Sequence, residues 1–311
     1  MSLSDPQLPF GSATPVLKVV CVGVGVLLVA CVLAPLIYLA TEPVRPMLDY
    51  PFHRYFSRTL QIAAIAGAVG LALWLRISSP LSLGLVPNPQ RIRDLGVGLA
   101  AGLLPVAALG AAYVLWDIYR PRKEIEWWGA GRILLSAGAV ACIEEFFFRG
   151  VLLGLAARAM GAWRAAVAVS ALFAVVHFVR PSRTVSEQVG WLSGFHQAWG
   201  ALVGWPEWPL WFFGLCTLFL AGLILAWVTL RTRSLWAAIG LHAAWILAQQ
   251  GLSLVAKFRV RPPEALLPWV GPNLVSGAVP TGLIPLLAIA LSGLLLWLCL
   301  RHVPKRRTDL A

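Results

Sequence analysis

Apolar residues in this chain run in long blocks separated by short polar breaks. Windows of about 20 residues, the length that spans a hydrocarbon core about 30 Å thick, pick out eight helices near residues 16–40, 59–75, 95–116, 129–157, 162–180, 207–230, 234–255 and 279–300. The connectors are short and rich in Pro, Arg and Trp, with no internal repeat and no low-complexity tract. The expected fold is all-α, a polytopic membrane helix bundle of about eight transmembrane helices, with residues 1–311 forming a single integral membrane domain. The first block, VLKVVCVGVGVLLVACVLAPLIYLA, is longer than a signal-peptide core and lacks a basic leader, so it reads as a retained helix.

Composition agrees. Hydrophobic residues make up 59% of the 311 and charged residues 12%, with a mean hydropathy of +0.79. Soluble domains carry about 25% charge. The five cysteines (Cys21, Cys31, Cys142, Cys216 and Cys299) all fall inside the expected spans without a CxxC pair, which argues against a disulfide framework and for buried small hydrophobes.

The net charge of +12 would suggest nucleic acid in a soluble chain. Here Lys and Arg are spread over the ends of the spans, so the lipid bilayer accounts for them and no nucleic-acid partner is expected. With eight spans both tails share one side, and the Lys and Arg residues divide twelve to twelve between the two sides. The basic RHVPKRR segment after the last block and the acid-poor tail-side loops place the tails in the cytoplasm, the other side holding Glu42, Asp49, Asp117, Glu124, Glu126, Glu187, Glu207 and Glu264. Richness in Ala, Arg and Trp suggests a bacterial inner membrane.

Against this apolar background, ACIEEFFFRG at 141–150 puts three ionisable groups in one expected span. A central charge costs about 2.5–3.5 kcal/mol on insertion scales. Glu145 and Arg149 are four apart with the acid first, the favourable order for a helical ion pair. Glu144 lies about 100° round the helix and needs another partner. His177, in SALFAVVHFVR, and His242, in IGLHAAWILAQQ, lie in two other expected spans. A carboxylate and two imidazoles from three helices can deprotonate a water or hold a divalent metal.

EEFFFR reads as EExxxR and FAVVH as FxxxH, and a third histidine follows two helices later. In order and placement these resemble the signature of the CAAX-protease and bacteriocin-processing family of glutamic intramembrane proteases, over residues 125–255. The resemblance implies an intramembrane endopeptidase acting near the C-terminus of membrane-anchored or lipidated proteins. Glu144 would be the general base with His177 its partner, Glu145 and Arg149 would brace the site, and His242 would line it and help to stabilise the oxyanion. A myxosortase-like branch of the family, with substrates held by a C-terminal anchor, suits a site open to the exoplasmic face. One position departs from the pattern: the family's third motif is HxxxN, whereas Ile246 follows His242 here. Gln249, seven residues after His242, is the candidate replacement oxyanion donor, and the Trp245 indole N–H is another. The resemblance points to chemistry without a metal or other cofactor; zinc on Glu144, His177 and His242 is the alternative, against which stand the missing HExxH pair and second-shell carboxylates.

The connector 181–206 holds Trp191, Trp199, Trp205 and His196, which read as an interfacial aromatic belt, with a lid over the site as the other possibility. His53 and His302 read as membrane-edge residues. The rival to an enzyme is a non-catalytic scaffold or bacteriocin-immunity protein using the same buried charges. A transporter would show paired halves or matching broken helices, and the sequence has neither.

Overall fold

The computed structural model describes residues 14–44, 50–74, 85–178, 189–203, 208–258, 269 and 282–301. In chain order the elements are α1 (Thr14–Ala40), a 3₁₀ turn (Glu42–Val44), α2 (Phe52–Trp74), α3 (Arg91–Leu115), β1 (Tyr119–Pro121), α4 (Trp128–Glu145), a π-helical segment (Phe146–Leu152), α5 (Leu153–Met160), α6 (Ala162–Val176), α7 (Ser193–Val203), α8 (Trp208–Thr232), α9 (Trp236–Val255), β2 (Ala256–Phe258) and α10 (Leu283–Leu300). The protein is an all-α polytopic bundle. Among the described residues six helices, α1, α2, α3, α8, α9 and α10, are long and apolar enough to cross a membrane.

The two other expected spans differ from the sequence reading for identifiable reasons. The block at 129–157 is not one α-helix, because its hydrogen bonding shifts to the π pattern over Phe146–Leu152, directly after Glu144 and Glu145. Such segments are rare and often mark functional sites. Gly161, at φ +84°, then separates α5 from α6 in a conformation that favours glycine. The block at 162–180 stops at Val176, where the His177 side chain turns back onto the Phe173 carbonyl. Two three-residue strands, which the hydropathy windows do not detect, pair antiparallel with Tyr119 opposite Phe258.

The chain divides into two compact units. The first comprises 1–78 and 179–205. In it α1, α2 and α7 pack around Ala30, Cys31, Ala34, Phe52, Phe56 and Ala198. Trp191, Trp199 and His196 are exposed there; Trp205, residues 179–188 and His302 lie outside the described residues. The RHVPKRR segment lies outside them beyond Arg301.

The second unit, 79–178 and 206–311, holds every intramembrane charge singled out above. Its core gathers residues of α3, the π segment, α6, α8, α9 and α10, and a close seam joins α3 to α9, which run parallel. A Cβ on Gly98 would strike the Ala237 carbonyl and lie 2.8 Å from the Leu241 nitrogen, and one on Gly102 would lie 2.7 Å from the Ala244 Cβ. Gly240 on α9 meets the Leu95 carbonyl in the same way. Gly98 and Gly102 form the GxxxG spacing that lets membrane helices approach backbone to backbone. On its other side α9 runs antiparallel to α4, with Glu145 beside His242 at one end and Gly129 beside Leu254 at the other. α10 packs against α3 and α8 and accepts the Trp245 indole N–H of α9 at Ser292.

None of the five cysteines is bonded to another, and the expectation that they are buried holds for Cys31; Cys21, Cys142 and Cys299 are exposed and Cys216 is intermediate. An outward face in a membrane is apolar, so a thiol there needs no core.

Candidate active site

Four elements of the second unit deliver the site: α4, the π segment, the end of α6 and α9. α4 ends at Glu145 and the π segment carries Arg149. Arg149 Nη1 donates to Glu145 Oε1 at 3.0 Å, and both side chains are fully buried. The expected i,i+4 pair is therefore present. The same carboxylate oxygen also accepts from His242 Nδ1 on α9 at 2.8 Å, so Glu145 ties two helices together.

His177, at the C-terminal end of α6, has Nδ1 2.7 Å from the Phe173 carbonyl. A carbonyl can only accept, so Nδ1 bears the proton and Nε2 faces inward. Nε2 of His177 lies 3.7 Å from Glu144 Oε2, and Nε2 of His242 lies 3.9 Å from the same oxygen. Glu144 thus stands between the two imidazoles, with 24% of its side chain accessible against 2% for that of His242. All five expected residues, Glu144, Glu145, Arg149, His177 and His242, converge.

The cluster is electrostatically incomplete. Two carboxylates and one guanidinium leave one formal negative charge while both imidazoles are neutral. Several buried atoms have no hydrogen-bond partner: Glu144 Oε2, Glu145 Oε2, and Arg149 Nε and Nη2. Leaving a buried polar group unmet costs about 1–3 kcal/mol, more for a charged one. Four such atoms lie in one place, so the polar groups of the cluster are not satisfied by one another alone.

Phe173 was missed by reading for chemistry, because a phenyl in an apolar helix looks like core. Its ring lies 4.3 Å from that of His177, 6.0 Å from that of His242 and 5.2 Å from that of Phe148, with the Arg149 guanidinium 4.3 Å above it. The FxxxH spacing was the available signal.

The positions after His242 divide. Ile246 is buried and apolar. Trp245 is not the free donor the sequence suggested, since its indole N–H is given to Ser292 Oγ at 3.2 Å. Gln249 is buried with neither amide atom hydrogen-bonded, and its Cα is about 10 Å further along α9 from that of His242. Among the described residues no group of three His, Cys, Asp or Glu side chains is arranged to hold a metal ion.

Residues 126–248 match the family model for Rce1-like proteins, described as type II CAAX prenyl endopeptidase. The match covers 123 of the 311 residues and shows a likeness to that family over this segment. It spans Glu144, Glu145, Arg149, Phe173, His177 and His242 and ends one residue before Gln249. Nothing in the match singles out a myxosortase-like branch. No curated protein and no solved structure matches the chain.

Proposed function

We propose that this chain is an intramembrane endopeptidase that cleaves near the C-terminus of membrane-anchored or lipidated proteins, with Glu144 activating water. The observation that carries this reading is the position of Glu144, whose side chain is partly accessible while its buried Oε2 lies within 4 Å of two imidazole Nε2 atoms. The likeness of residues 126–248 to the Rce1-like family supports the same substrate class. Glu144 accepts a proton from water as the oxygen attacks the scissile carbonyl, His177 Nε2 shares that proton, and the pair returns it to the leaving amine as the C–N bond breaks. His242 carries the proton that neutralises the cluster. Its Nδ1–H is held by Glu145, and its Nε2–H is the donor for the oxyanion. Gln249 is an accessory donor to the substrate chain further along α9.

This chemistry needs no metal. Both histidines do bond outward through Nδ1, as metal-ligating histidines do, so chelation is the discriminating control. The scaffold reading accounts for Glu145 with Arg149 and gives no reason for Glu144 between two histidines.

The test is cleavage of a prenylated CAAX-type reporter peptide in proteoliposomes. Glu144→Gln is expected to lose at least about a thousandfold in rate, the scale of a missing catalytic group in a concerted site, at unchanged unfolding temperature. A chelator should have no effect. Retained cleavage in the variant would sink the glutamate mechanism, and loss on chelation restored by zinc would replace it with a metal one. Mass spectrometry of membrane-protein C-termini in the host, wild type against Glu144→Gln, then names the substrates. We place the tails in the cytoplasm of a bacterial inner membrane, a topology that cysteine-accessibility labelling of either terminus would decide.

A further inference from the structure

Arg149 is a buried cation with an incomplete set of partners. Its one hydrogen bond uses Nη1; Nε and Nη2 occupy the opposite edge of the guanidinium, are buried and have no hydrogen-bond partner. That edge is the fork that grips carboxylates bidentately, and Glu144 is the next residue to the one Arg149 already holds. If the fork closed on Glu144, the carboxylate would be a neutralised ion-pair partner and a poor base.

What Arg149 has instead is aromatic. Its guanidinium carbon sits 4.3 Å from the Phe173 ring centroid and 5.6 Å from that of Phe148, and these two rings meet edge to face. The face of an aromatic ring attracts a cation, most strongly where water is excluded. The same Phe173 holds the His177 tautomer through its carbonyl and packs its ring on both imidazoles.

We infer that Phe173 is a positioning residue that acts through ring electrostatics: its π face serves as the second counter-group of Arg149, holding the guanidinium fork away from Glu144 and leaving that carboxylate free to act as base. The inference rests on the protease reading for its kinetic half. Phe148, further from the guanidinium and edge-on to Phe173, contributes less.

Progressive fluorination tests it, because fluorine drains the ring face of negative potential while nearly preserving size and apolarity. Mono-, di- and trifluorophenylalanine placed at 173 by nonsense suppression should lower kcat on the prenylated reporter peptide stepwise, by about tenfold or more across the series, with KM within about twofold, and should lower the unfolding temperature in parallel. The same series at Phe148 should give a shallower slope. A flat kcat series in an active enzyme would overturn the inference, since a ring that only fills space is indifferent to fluorination. Falling stability with constant kcat would overturn it equally. If the enzyme with ordinary Phe173 cleaves no peptide at all, the protease reading fails instead, and the unfolding series still reports whether Arg149 is held by the ring.

Discussion

Gly98→Ala places one methyl group on α3, a helix that contributes no side chain to the proposed catalytic cluster. The added Cβ would meet backbone only: the Ala237 carbonyl, and the Leu241 nitrogen at 2.8 Å. Ordinary contact begins near 3.4 Å, so the α3–α9 seam must open by about 0.6 Å at Leu241 alone, and backbone in a packed helix yields poorly. Leu241 precedes His242. A shift of that size drives α9 toward α4, and the 2.8 Å bond from His242 to Glu145 has no room to shorten, so the ring must be displaced from its hydrogen-bonding geometry. Overpacking typically costs about 1–3 kcal/mol, partly offset by about 1 kcal/mol of helix propensity gained over glycine. Because a 1 Å misplacement can cost about a hundredfold in rate, kcat should fall about ten- to a hundredfold. Gly251→Ala, on α9 with nothing within 4 Å of its Cβ, is the control and should be neutral or slightly stabilising. The assay is reporter-peptide cleavage beside thermal unfolding in nanodiscs. Equal activity and unfolding temperature in the two variants would refute the claim that the glycine seam sets the position of His242.

Glu145→Gln should cost about 3–5 kcal/mol, because it leaves Arg149 buried without a counter-charge; the double change Glu145→Leu with Arg149→Met should recover most of that stability while remaining inactive, as thermal unfolding and cleavage would report. A single variant as stable as wild type would mean that the pair is solvated. Trp245→Phe should lose about 1 kcal/mol for the bond to Ser292 and leave cleavage within about twofold, whereas lost cleavage in a fully folded variant would return Trp245 to the site.

The bundle and the five converging polar residues were legible in the sequence because their signals are local: hydropathy over a window, a four-residue spacing, ionisable groups in apolar segments. The pairing of Glu145 with Arg149 needed nothing more. That His242 would also bind Glu145 was not legible, since it depends on how α4 and α9 are registered across 97 residues of sequence. Trp245 misled for the same reason: its acceptor, Ser292, lies on α10, 47 residues away. The π segment leaves hydropathy unchanged, because it alters which carbonyl each N–H reaches and not how apolar the residues are. The GxxxG pair at Gly98 and Gly102 was printed in the sequence, but its partner surface on α9 was not.

The π segment also bears on engineering. A π turn is an α-helix with one residue too many, and removing that residue would let Trp128–Met160 run as a single regular helix. A sequence optimised for an ideal backbone would favour that repair, as would a screen that rewards only heat resistance. A deletion between Glu145 and Arg149 would turn Arg149 about 100° round the helix relative to Glu145 and break the four-residue spacing of their ion pair. Thermostabilised variants of this protein should therefore be sorted by whether Phe146–Leu152 keeps its length, because the irregular turn is the feature that stability selection would erase first.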